Sequence, residues 1–238
     1  MAIQTYNPFK YQEQLFTDGL DYVITNIPGS PTFDDLADTI IDYFASLPDP
    51  MSSDFLTGAR IAMTNSANDF INSRIADNLN YDSNGQMLIE SVLAGVKYNS
   101  IDSLADFFSA AEEQIAMADV NTISKYALYN SLTMAKTSYA YWLAKIGTPG
   151  GWSTYFNSNA AINYASLPFW VSSAYVGAFS GFAAAQAPAM VEANLDNSTG
   201  RFYGSTMALA SALTVNAGKV IFKWAQRPVA FQSGCNCN

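Results

Sequence analysis

The chain has 238 residues, of which half are hydrophobic and 13% are charged, and its formal net charge at pH 7 is −9. It contains no histidine, which excludes histidine-based catalytic triads and most zinc, haem and iron sites, so we expect a protein that is not an enzyme. Residues 1–145 carry 18 acidic and 7 basic side chains, and this acidic half argues against nucleic acid as a partner.

The first thirty residues contain the stretch NPFKYQEQLFTDGLDYV, residues 7–23, and end at the turn signal Pro28-Gly29. This stretch resembles the opening of an uncharacterised protein family from Bacteroidota. The proteins of that family have Gly/Ala-rich carboxy-terminal halves, and the second half of this chain has a similar composition. The resemblance implies no activity. The chain begins without a basic segment followed by an apolar one, so we expect no secretory signal and either a cytoplasmic location or signal-independent export.

Apolar residues that recur every three or four positions predict five helices in the acidic half. Their expected ranges are residues 32–47, 53–79, 86–98, 102–120 and 122–146. The sequence Gly-Thr-Pro-Gly-Gly at residues 147–151 then breaks the pattern. It is the expected boundary between an acidic helical region, residues 1–146, and a nearly neutral region, residues 147–238, although the two could also form one continuous domain.

The second region begins with a long uncharged segment, since residues 146–191 contain no Asp, Glu, Lys or Arg. A short helix over residues 153–165 and a longer one over residues 168–186 are predicted here. In the longer helix small side chains recur every fourth residue, which lets another helix backbone approach closely. We predict an interface along this strip: Ser173, Gly177, Gly181 and Ala185.

A last helix, residues 204–226, repeats the four-residue spacing of small side chains with Thr206, Ala210, Thr214 and Gly218. Two helices with matching strips, joined by one loop, predict a tightly packed antiparallel hairpin. The expected fold is therefore all-α, a bundle of about eight helices with a small-residue-rich carboxy-terminal hairpin.

One loop has oxygen ligands at a spacing that suggests a calcium site. Asp82, Asn84 and Glu90 surround Gly85 in the segment NYDSNGQMLIE, residues 80–90. The segment departs from a calcium loop because its first position is Asn and its closing acid comes one residue early. An ordinary Asx-turn is the competing interpretation. No other cofactor is expected.

Lys219, Lys223 and Arg227 recur every fourth residue on the last helix and form a basic stripe. Their positive charge is favourable at the carboxy-terminal end of a helix, and it could also bind an acidic face of another copy or anionic lipid head groups. The sequence favours a non-enzymatic, self-associating structural or assembly subunit whose partners are other copies of itself. The alternative is a membrane-active protein, pore-forming or bacteriocin-like, that stores the neutral hairpin until it meets lipid.

Overall fold

The computed structural model describes residues 9–10, 12–28, 33–48, 50, 53, 56–57, 60, 83–149, 151–152, 171 and 174. These residues contain no strand, so the prediction of an all-α fold is confirmed for this part of the chain. The predicted total of about eight helices concerns the whole chain and stays a prediction. Five helices have described bounds: α1 Gln12–Asn26, α2 Phe33–Ala45, α3 Ser83–Tyr98, α4 Ile101–Met117 and α5 Thr122–Lys145.

The helix α5 forms the centre of the described bundle and packs against α1, α3 and α4. Every residue from position 127 to position 135 is buried, so this helix has no solvent-facing side over more than two turns. Its first turn is capped by Asn121, whose side-chain oxygen accepts a 2.8 Å hydrogen bond from the backbone N–H of Ser124. At its other end Leu143, one of the apolar residues in the predicted helix 122–146, is 41% exposed.

Helix α1 runs parallel to α5. The ring of Phe9, just before α1, packs edge-on against Tyr126 near the start of α5, with ring centroids 6.3 Å apart. Further along both helices, the hydroxyl of Tyr141 donates a hydrogen bond to Asp21. Residue numbers therefore increase in the same direction along the two helices.

The sequence did not predict α1, although the helix buries a complete face. Phe16, Leu20 and Val23 are fully buried at the three- and four-residue spacing of a helix, and Gly19 and Gln12 complete the face. Burying a side chain of the size of Phe or Leu contributes about 1.5–3 kcal/mol, so this face holds α1 in the bundle.

Helices α3 and α4 form an antiparallel hairpin connected by Asn99 and Ser100. At the open end of the hairpin the side-chain amide of Asn84 donates to the carbonyl of Asp119 over 3.4 Å. Near the connection, Gly95 lies directly against the ring of Phe107, which is why a residue without a side chain is needed there.

Helix α4 also packs antiparallel against α5. Lys136 and Glu112 form a partly buried ion pair at 2.6 Å between the middle of α5 and the second half of α4. The ring of Tyr139 packs edge-on against Phe108, and its hydroxyl lies 3.4 Å from the carbonyl of Ile101. These contacts fix the register of α4 on the central helix.

Helix α2 packs against α1, and the ring of Tyr43 on α2 contacts that of Tyr22 on α1. Its predicted apolar face is confirmed, because Leu36, Ile40, Tyr43 and Phe44 are all buried. Arg60, in the predicted helix 53–79, binds across the outer surface of α2 through hydrogen bonds to Asp34 at 2.7 Å and Asp38 at 2.8 Å.

Candidate functional site

The most elaborate polar arrangement in the described residues is a hydrogen-bonded chain that joins Trp152, Tyr141 and Asp21. The indole Nε1 of Trp152 donates to the hydroxyl oxygen of Tyr141 over 2.7 Å. That hydroxyl donates in turn to Oδ1 of Asp21 over 2.8 Å. Nζ of Lys145 lies 3.4 Å from both carboxylate oxygens of Asp21 and 5.9 Å from the centre of the Tyr141 ring. The chain therefore connects α1, the end of α5 and the segment after Gly151.

The residues of this chain differ in their exposure to solvent. Trp152 is 2% exposed and packs edge-on against the fully buried Trp142, with ring centroids 5.1 Å apart. Lys145 and Asp21 are about half exposed, so their ion pair contributes at most about 1 kcal/mol. The strength of the connection therefore comes from the buried indole and phenol groups, not from the exposed charges.

The chemistry of Tyr141 is that of a neutral hydroxyl group. Burial is the largest cause that raises the pKa of Tyr141 above its ordinary value of 10.0; the hydrogen bond from Trp152 lowers this pKa, and the hydrogen bond to Asp21 raises it. A phenol that stays protonated accepts one hydrogen bond and donates another, as observed here. The arrangement therefore attaches the segment after Gly151 to the helical core.

The glycine-rich break at residues 147–151 does not lead the chain away from this core. Thr148 N–H donates to the carbonyl of Lys145 and Gly151 N–H to the carbonyl of Thr148, so the chain makes two close turns directly after α5. Beyond the break Trp152, Val171 and Ala174 are buried in the same hydrophobic cluster as the helices of the acidic half. The boundary between the two regions stays a prediction. The described residues that follow the break share a hydrophobic core with the helices that precede it.

The predicted calcium loop lies partly in a helix. Helix α3 begins at Ser83, three residues earlier than the sequence suggests, so Asn84 and Glu90 are both helical and exposed. They stand six residues apart, which places them on different sides of α3. Asp82 lies outside the described residues, so the calcium site stays a prediction. Within the described part of the chain no three His, Cys, Asp or Glu side chains are grouped as metal ligands.

The predicted interface residues Ser173, Gly177, Gly181 and Ala185 lie outside the described residues, as do those of the basic stripe: Lys219, Lys223 and Arg227. The interface therefore stays a prediction. None of the helices with described residues is long and apolar enough to cross a membrane.

A surface that the sequence did not indicate lies at the open end of the α3–α4 hairpin. Met87 on α3 is 63% exposed and Met117 on α4 is 70% exposed. The hydrogen bond between Asn84 and Asp119 brings these two ends of the helices together. Two exposed acids, Glu90 and Glu113, stand within one helical turn of the methionines. We name the two methionines and these two glutamates the methionine patch.

Comparisons with protein-family models, with curated proteins and with solved structures find no match to this chain. The resemblance of residues 7–23 to a family from Bacteroidota therefore stays a prediction.

Proposed function

We propose that the protein is a non-enzymatic helical subunit that associates with further copies of itself. The observation that supports this most directly is the methionine patch, because two large unbranched apolar side chains project from one end of a hairpin into solvent. Methionine adapts its shape to a partner surface and is enriched at protein interfaces. Self-association removes this apolar surface from water and so supplies a driving force.

The uneven charge of the chain supports a second copy as the partner of the patch. Residues 1–145 have an excess of acidic groups, whereas residues 146–238 carry 2 acidic and 4 basic side chains. Three of those bases are Lys219, Lys223 and Arg227, the predicted basic stripe. Such a stripe complements the acids of the methionine patch, and complementary charge guides association and fixes the register of an interface.

The experiment is a measurement of molar mass by size-exclusion chromatography with light scattering, at several protein concentrations and at low and high salt. We expect a mass above that of one chain at low salt and a lower mass at high salt, because salt screens exposed charges. Lys223→Glu is expected to lower the mass in the same way. Lys10→Glu makes the same charge change at an exposed residue near the start of the chain and serves as the matched control. Equal masses for the two variants would contradict the proposal.

The second candidate, a membrane-active protein, is supported by the attachment of Trp152. The uncharged segment 146–191 contains Trp152, whose contacts with the core include a buried hydrogen bond to Tyr141 and a ring contact with Trp142. Loss of this attachment would free the start of the most apolar part of the sequence. A dye-leakage assay with anionic vesicles distinguishes this candidate, since an assembly subunit leaves the vesicles intact at any concentration.

A further inference from the structure

Two side-chain amides in the core of the described bundle have unusual surroundings. Gln12 on α1 and Asn130 on α5 are both fully buried. None of their four side-chain polar atoms, Nε2 and Oε1 of Gln12 and Nδ2 and Oδ1 of Asn130, has a hydrogen-bond partner among the described residues. Each amide group can donate two hydrogen bonds and accept two, so together they bring considerable unused bonding capacity into the core.

Three other buried polar side chains of α5 are satisfied within their own helix, whereas the buried hydroxyls of Ser124 and Ser138 have no hydrogen-bond partner among the described residues. Ser131, Thr133 and Thr137 each donate to the backbone carbonyl four residues earlier, at 2.7 to 2.8 Å. A hydroxyl group reaches that carbonyl easily, whereas an amide group has donors and acceptors that a single such bond leaves unsatisfied. Asn130 therefore needs a partner outside its own helix.

The register of the two parallel helices places Gln12 and Asn130 at the same level. Phe9 and Tyr126 are in ring contact, Gln12 follows Phe9 by three residues, and Asn130 follows Tyr126 by four. Both steps correspond to about one helical turn. Because residues four apart lie on one face of a helix, Asn130 is on the face of α5 from which Tyr126 contacts Phe9, just before α1.

We propose that Gln12 and Asn130 line an internal site between α1 and α5 that binds one or more water molecules. Buried polar groups in folded proteins are almost always hydrogen-bonded, either to protein or to ordered water. Water suits two buried amides at the same level because each molecule both donates and accepts, and buried water is typically held by about three such bonds. The site is independent of the proposed self-association, since both residues are inside one chain.

The test uses the wild-type full chain and NMR spectroscopy, with water itself as the probe. We expect the side-chain NH2 protons of Gln12 and Asn130 to show cross-peaks to water with the sign of a dipolar contact in both NOESY and ROESY spectra. The exposed amide of Gln114 is the control, and its cross-peaks should have the sign of chemical exchange or of a short-lived contact. Amide protons that give cross-peaks to one another but none to water would overturn the proposal, as would peaks of exchange sign only.

Two variants make the result specific to this pair. In Asn130→Leu and in Gln12→Leu one amide is removed, and the water cross-peaks of the remaining amide should weaken by more than half. If both variants fold and the remaining amide keeps its cross-peaks at full intensity, the two residues do not share a site and the proposal is wrong. If the variants do not fold, the wild-type spectra still decide the question.

Discussion

The hydroxyl of Tyr141 lies 2.8 Å from the carboxylate of Asp21, although 120 positions separate the two residues in the sequence. The same hydroxyl accepts the indole hydrogen bond of Trp152. Tyr141 is thus the point at which the first helix, the central helix and the segment after the glycine-rich break are joined. The stability of the bundle should be sensitive to each member of this group.

Removing the indole N–H of Trp152 should weaken the bundle by a moderate amount. We expect Trp152→Phe to lower the free energy of unfolding by about 1–3 kcal/mol, because it leaves the buried hydroxyl of Tyr141 with one hydrogen bond fewer and reduces the ring contact with Trp142. Urea denaturation measures this. Combined with Tyr141→Phe in a double-mutant cycle, the change should be non-additive by at least about 0.5 kcal/mol. Strict additivity would mean that the two side chains do not interact in solution.

The buried tyrosines should make stability depend on pH in the alkaline range. Burial is the main cause that raises the pKa of Tyr141 and of Tyr43 above the ordinary value of 10.0, and the charge of Asp18 raises the pKa of Tyr43 further. As the pH rises, the unfolded chain therefore loses these protons first. The contribution of these two protonated tyrosines to the free energy of unfolding is fully present below about pH 10. Above that pH it decreases by about 1.4 kcal/mol per pH unit for each tyrosine.

Urea denaturation between pH 9 and about pH 11.5, across the ordinary range of a phenol, tests this dependence. Tyr141→Phe should make the decrease of the unfolding free energy with pH less steep, by the amount that one tyrosine contributes. Tyr98→Phe makes the same change at an exposed tyrosine and is the matched control. A Tyr141→Phe slope equal to that of the wild type would show that the phenol ionises equally easily in both states.

Two glycines, Gly95 inside α3 and Gly147 just after α5, should respond differently to alanine. A Cβ at Gly95 would overlap the ring of Phe107, whereas a Cβ at Gly147 would meet no atom within 4 Å. Gly95→Ala should cost about 1–3 kcal/mol through overpacking, more than the gain of about 1 kcal/mol from better helix propensity. Gly147→Ala should be neutral or slightly stabilising.

Melting temperatures of the two glycine variants provide the measurement. Adding Phe107→Leu to Gly95→Ala should recover part of the loss, because a smaller side chain relieves the overlap. A Gly95→Ala protein that melts at or above the wild-type temperature would contradict the close approach of α3 and α4.

Much of the described helical structure could be predicted from the spacing of apolar residues. The central helix was expected over residues 122–146 and ends at Lys145, and α2 was expected over residues 32–47 and spans Phe33–Ala45. Helix α1 was missed because Gly19 and Gln12 interrupt its apolar pattern with residues that usually indicate a turn or a surface. The spacing of Phe16, Leu20 and Val23 was the signal that could have identified it.

The candidate site could not be predicted in the same way. The bonds among Asp21, Tyr141 and Trp152 depend on how helices are placed relative to one another, and periodicity describes only which face of each helix is buried. The exposure of Met87 and Met117 has the same origin. An isolated methionine in a helical pattern is usually a core residue, and only the packing of the hairpin shows that these two are at the surface.

The molar mass of the protein in solution tests the central claim, self-association through the methionine patch, most directly. Light scattering should give the wild-type chain a multiple of 25.8 kDa, and should give the variant Met87→Lys/Met117→Lys a mass of 25.8 kDa with an unchanged helical circular dichroism spectrum. Lysine keeps the helix propensity but replaces an apolar contact with a charge that repels the basic stripe. Leu143→Lys, at an exposed position on another helix, should keep the wild-type mass. A wild-type mass of 25.8 kDa at every concentration, or a double variant as heavy as the wild type, would contradict the account.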